Sequence, residues 1–173
     1  TEYAVSIKFP SIPETGNPIA EYHALSDLTR GSKVEVTCTL IDFITENDPE
    51  ESIIVFSNRH ETLHQIKAQR DGYLYTGSIQ SSKRSTVLSD FEANGGILYI
   101  ATKAGGTGLN LTRASRVIQV DISWNPVYDT QAVARVCRMG QVRPTYIYRL
   151  VAQNTMEERI YRMNVQKHAM AAR

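Results

Sequence analysis

From Ser32 onward, short apolar runs and stretches of helical periodicity take turns along the chain. Ser32-Lys33-Val34-Glu35 is a capping-box pattern, in which a hydroxyl and a carboxylate satisfy free N–H groups of a first helical turn. Behind it Val36, Leu40, Ile41 and Ile44 recur at helical spacing until Asn47-Asp48-Pro49 breaks the period. Ile53-Ile54-Val55-Phe56 is continuous and β-branched, as expected of a strand buried on both faces. The pattern then predicts a polar helix at 60–70, a strand at 72–75 and a helix from Ser81 or Ser82 to Phe91, with Val87, Leu88 and Phe91 on one face. Buried strands are expected at 97–101 and 117–120. A helix over 129–139 would take Asp129 as N-cap and Gly140 as its stop. A last strand at 146–151 precedes a helix capped by Thr155, with Met156, Ile160 and Met163 along one face.

Strands and helices in alternation, with short connections, require parallel pairing through crossovers. The fold class is therefore α/β: one three-layer domain over 32–173, with a mainly parallel central sheet and helices on both faces. In such sheets chemistry sits at the C-terminal strand ends. Residues 1–31 hold three of the six prolines and show no sustained period. They read as an irregular leading segment or linker, with one helical turn near 19–24.

Composition narrows this picture only in part. At 173 residues and 42% hydrophobic content, the chain can bury one good core rather than two. Its 19 basic and 18 acidic side chains nearly cancel, so net charge neither favours nor excludes a polyanionic partner. Cys38 and Cys137 lie far apart and outside any C-x-x-C pair, which argues against a zinc ribbon and a disulfide scaffold and fits a reducing compartment. No apolar run approaches the roughly 18 residues that span a bilayer.

Two segments carry candidate chemistry. After the strand at 97–101 comes Thr102-Lys103-Ala104-Gly105-Gly106-Thr107-Gly108-Leu109-Asn110-Leu111. Its three glycines let backbone N–H groups approach a phosphate closely, although a tight turn without ligand would look the same. Further on, Gln131, Arg135 and Arg138 are spaced i, i+4, i+7, which on a helix puts them on one stripe, with no carboxylate at helical spacing. That arrangement suits a triphosphate; the alternative is a solvated basic face. A third pattern, His60-Glu61-Thr62-Leu63-His64, matches the H-E-x-x-H of zinc proteases, with Glu92 as the one conceivable further ligand. It lacks the extended H-x-x-G-x-x-H continuation, and reads as two histidines on a surface helix. No G-x-x-x-x-G-K-[ST] loop and no acidic box after a strand occur, so the chain cannot hold β- and γ-phosphates with Mg²⁺ by itself.

Residues 102–111 resemble helicase motif V of Swi/Snf-type ATPases, and Gln131-Ala132-Val133-Ala134-Arg135-Val136-Cys137-Arg138-Met139-Gly140-Gln141 resembles their motif VI. Between them, Asp121-Ile122-Ser123-Trp124-Asn125-Pro126 is similar to the family's D-x-x-W-N-P signature. Residues 53–57 resemble motif IV, and Tyr75-Thr76-Gly77-Ser78 with Arg84 and Phe91 the block after it. The match runs in order over some four-fifths of the chain, and details around 123–129 and 155–167 look like the ATRX-like branch. Cys137 and Met139 depart from the common residues without touching the arginines or glycines.

The resemblance implies a RecA-like C-terminal helicase lobe of an ATP-dependent DNA translocase in the nucleus. It implies Arg138 as principal arginine finger, Arg135 beside it and Gln131 holding their register. Gly106, Gly108 and Asn110 would lie near ATP, whose Mg²⁺ is held mainly by an N-terminal RecA-like lobe. Thr102, Lys103, Ser57, Thr76 and Gly77 would contact the backbone of double-stranded, nucleosomal DNA. Trp124 is open between the lobe interface and core packing. The competing function is a non-catalytic binding or scaffold module on the same fold.

Overall fold

The computed structural model describes residues 5–8, 32–104 and 108–171. Elements follow in the order β1 (Val5–Lys8), α1 (Lys33–Asn47), β2 (Ser52–Ser57), α2 (His60–Gln69), β3 (Tyr73–Tyr75) and α3 (Ser81–Asn94). Then come β4 (Ile97–Ala101), β5 (Ala114–Gln119), α4 (Pro126–Val133), β6 (Tyr146–Ala152) and α5 (Met156–Ala171). The sheet order is β1-β6-β5-β2-β4-β3. Five strands, β2 to β6, are parallel, and β1 runs antiparallel along the outer side of β6. This is the α/β class that the alternating pattern predicts, and a RecA-like domain.

β2 is central and buried along its whole length. Its side chains alternate between faces, as the two-residue period of a strand demands. Ile53 and Val55 join a core with Val36, Leu40, Ile41 and Ile44 of α1 and Leu63 and Ile66 of α2. Ile54 and Phe56 join a second core with Phe91 of α3 and Ala132 of α4. α1 and α2 thus cover one face, and α3 and α4 the other. A small third cluster, Ile122, Val151 and Ile160, seats α5 beside β6.

The capping box forms as the sequence predicts: the Glu35 N–H donates to the Ser32 hydroxyl at 3.3 Å, and the Ser32 N–H to the Glu35 carboxylate at 2.7 Å. Lys33, next in line, turns its ammonium onto the carbonyls of Val120 (2.6 Å) and Leu150 (3.1 Å) and onto the Glu157 carboxylate. One side chain thereby fastens the start of α1 to the ends of β5 and β6 and to α5. At the opposite end of the sheet, Arg116 is buried, stacked 3.9 Å over the Tyr146 ring, donating to the Tyr148 hydroxyl at 2.6 Å and paired with Asp48 and Glu51. The turn that breaks the first helix therefore supplies counter-charge to the core.

The structure departs from the sequence reading in three places: an added strand, an earlier start of β5 and the inward face of α5. β1 lies inside the leading segment, where none was expected: Val5-Ser6-Ile7-Lys8 alternates apolar and polar, but over too few residues to stand out. The helical turn expected at 19–24 lies outside the described residues. β5 begins at Ala114, three residues before the apolar run, because Arg116 is neutralised well enough to be buried in a strand. On α5, Ile160 faces inward while Met156 and Met163 stay exposed; the inward partner one turn on is Asn164, whose amide donates to the Ser123 carbonyl at 2.9 Å.

Candidate functional site

The D-x-x-W-N-P segment leaves the carboxyl end of β5 and is held by side-chain polar contacts at every second position, Asp121, Ser123 and Asn125. Asp121 accepts from the Ser57 hydroxyl and from the Asn58 N–H at 3.0 Å, tying the ends of β5 and β2 together. Ser123 donates its N–H (3.0 Å) and its hydroxyl to the Asp129 carboxylate. Asn125 caps α4, accepting from the Val127 N–H at 3.1 Å, and Pro126 occupies the first helical turn, where a missing N–H costs nothing. Trp124 between them is 68% exposed, so it does not pack in the core.

Helix α4 therefore starts at Pro126 with Asn125 as its cap, three residues before the predicted start. Asp129 is not a cap. It is buried within the first turns, where burial pushes its carboxyl above the usual range against the pull of the two Ser123 hydrogen bonds.

The helix also ends early, at Val133. Residues 134–140 form turns, with the Val136 N–H reaching the Val133 carbonyl at 3.0 Å and Gly140 at φ 101°. The reason is tertiary: the Arg135 carbonyl accepts from the Leu111 N–H at 3.1 Å, from the segment that follows the glycine loop. Gln131, Arg135 and Arg138 thus do not share a helical stripe. Gln131 is exposed at the end of α4, Arg135 is half-buried, and Arg138 is exposed with its guanidinium held by no described residue.

The path of this segment is set by its fastenings. Its first turn sits at the carboxyl end of β5, where Gln119 donates to the Asp129 carbonyl at 3.2 Å. Ala132 and Val136 pack against the sheet. Gln141 then donates from its amide to the carbonyls of Thr112 (3.2 Å) and Ala114 (2.7 Å), at the amino end of β5. The arginines therefore do not lie along the same sheet edge as the strand-end residues. They lie on the α3–α4 face, alongside the exit of the glycine loop. In that exit Gly108 has φ 58°, a left-handed conformation that suits glycine, and Asn110 is exposed. Gly106, with Gly105 and Thr107, lies outside the described residues.

The expected DNA-facing residues come together at the carboxyl ends of three neighbouring strands. Ser57 ends β2, Thr102 follows β4 and Thr76-Gly77 follow β3, and the Thr102 N–H donates to the Ser57 carbonyl at 3.0 Å. Only Lys103 and Gly77 of the set are exposed. Ser57, Thr76 and Thr102 are buried; the Ser57 hydroxyl is committed to Asp121, and that of Thr76 lies 2.8 Å from Ser78 Oγ. Sequence reasoning gave no role to Asp121, Ser123, Asn164 or Gln141. Asn164 is readable as a polar residue one turn after Ile160, whereas Asp121, Ser123 and Gln141 stand in connections that have no period to break.

His60 and His64 are exposed on α2, whereas Glu92 lies on α3 across the sheet, so the three cannot meet. Among the described residues no three His, Cys, Asp or Glu side chains gather as metal ligands.

A parallel α/β sheet with a glycine-loop exit fastened to an arginine turn defines a RecA-like helicase lobe. The chain belongs to the helicase conserved C-terminal domain family, whose model matches residues 32–140, and within it to the Swi/Snf type, ATRX-like. It is 37% identical over 160 residues to human DNA repair and recombination protein RAD54B, covering 87% of this chain and 18% of that protein. The Caenorhabditis elegans homologue of transcriptional regulator ATRX is 46% identical over 101 residues, covering 56% of this chain and 7% of that one. The chain thus spans less than a fifth of these relatives. The solved C-terminal part of the Fun30 ATPase domain superposes with a TM-score of 0.65 at 30% identity, over 73% of this chain and 44% of that one.

Proposed function

We propose that this chain is the C-terminal motor lobe of an ATP-dependent double-stranded-DNA translocase of the chromatin-remodelling or DNA-repair type, acting in the nucleus. Arg138 reaches to a γ-phosphate held, with its Mg²⁺, by an N-terminal lobe. Arg135 lies beside it; Gly106, Gly108 and Asn110 line the nucleotide side; and Gln131 borders the same segment. A guanidinium serves here because it stabilises charge developing on the transferred phosphoryl group without itself losing a proton. At the strand ends Lys103 and Gly77 meet the DNA backbone, with Thr102, Thr76 and Ser57 shaping the edge beneath them. Nucleosomal DNA is the form this reading favours.

The observation that carries the reading is the bond from the Leu111 N–H to the Arg135 carbonyl, which brings the glycine-loop exit against the arginine turn. Such a half-site has no catalysis of its own. The isolated chain should therefore show no DNA-stimulated ATP hydrolysis above background. In the full-length protein Arg138→Ala should lower kcat about 10³-fold while DNA affinity holds. Turnover by the isolated chain at a motor's rate would overturn the half-site; a scaffold would lose nothing on Arg138→Ala.

A further inference from the structure

Because the Arg138 side chain is gripped by no described residue, its placement has to come from its backbone. That backbone is a short strap. At its near end Val136 is fully buried, and the Arg135 carbonyl is bonded to Leu111. In the middle Met139 is 95% exposed and Gly140 adopts φ 101°, so no side chain there anchors the strap, whose own backbone is closed by the Arg138 N–H on the Val136 carbonyl at 3.0 Å. At its far end stands Gln141. Its backbone N–H donates to the Arg138 carbonyl at 3.0 Å. Its side-chain amide donates to the carbonyls of Thr112 and Ala114, and its side-chain oxygen accepts from the Arg143 N–H at 3.0 Å.

We propose that Gln141 is the positioning residue for Arg138: its side-chain amide pins the far end of the arginine turn to the segment between the glycine loop and β5. This rests on the reading of Arg138 given above. The chemistry calls for a neutral amide, since two carbonyls need two N–H donors and the Arg143 N–H needs an acceptor, all from one side chain. A carboxylate of the same shape has no N–H to give, and a thioether offers neither function with useful strength. The residue touches no reacting atom in this account; it acts through the place it gives Arg138.

The test uses Gln141→Glu and the neutral, similarly sized Gln141→Met in the full-length ATPase. Both should lower kcat about 10²-fold, the usual effect of misplacing a catalytic group by an ångström. KM for ATP and the Kd for DNA should stay within about twofold. In an Arg138→Ala background neither should cost anything more, because residues that act as one unit are not additive. In the present chain, hydrogen exchange at the amides of residues 138–141 should quicken while β2 and β4 stay protected. Multiplicative losses in the double variant would overturn the proposal and leave Arg138 its role. So would unchanged kcat in both Gln141 variants while Arg138→Ala abolishes turnover. Unchanged turnover in Arg138→Ala would instead remove the finger itself, and the positioning role with it.

Discussion

The carboxyl of Asp129 lies between β5 and α4, where burial raises its pKa while the N–H and hydroxyl of Ser123 oppose the rise. A raised native pKa means that the folded state binds the proton more tightly than the unfolded chain. Its stabilising effect is complete below the unfolded value, 3.8, and is lost as pH climbs through the raised native value. Asp129→Asn keeps an acceptor for the Ser123 N–H and removes the charge. The variant should therefore gain on the parent between about pH 4 and pH 7, read from urea midpoints at both. A gain in the opposite direction would mean that the Ser123 bonds outweigh burial.

Among the elements, the strands that are apolar throughout were the most legible from sequence. Ile53-Ile54-Val55-Phe56 and the run at 97–101 have no polar position to interrupt them, and both appear where the pattern puts them. Capped helices were legible too, because Ser32 and Glu35 satisfy one another locally, without help from the rest of the fold. Helix α4 was misread for the converse reason. Its start depends on Asn125 and Pro126, which look like a turn, and its end on a carbonyl claimed by Leu111 from more than twenty residues away. Helical spacing cannot register a competitor of that kind, so Arg135 and Arg138 were placed on a stripe that does not exist. The cap itself is testable: Asn125→Ala should cost about 1 kcal/mol in a denaturant titration, and Asn125→Asp should recover most of it.

At the scale of the molecule, two cations act as fasteners at opposite ends of the sheet. Lys33 gathers the carboxyl ends of β5 and β6, and Arg116 gathers the amino end with the turn after α1. Arg116 is the deeper of the two, and its removal would leave the Asp48 and Glu51 carboxylates without their shared guanidinium. Arg116→Met should thus destabilise the whole domain by about 2 kcal/mol in chemical unfolding, the partners' partial exposure keeping the loss below that of a fully buried pair. Lysine should not rescue it, since it cannot both stack on Tyr146 and fork between two carboxylates.

The small antiparallel strand at residues 5–8 has a different kind of consequence. A parallel sheet that ended at β6 would present a row of bare backbone groups seven residues long, a template on which a second molecule could assemble. β1 covers four of those positions, from Arg149 to Ala152. The opposite border, β3, is three residues long and too short to recruit a neighbour. What passes for a preamble in the sequence is thus a selvedge, and a protein trimmed to the span of the family model would have its weave open on that side.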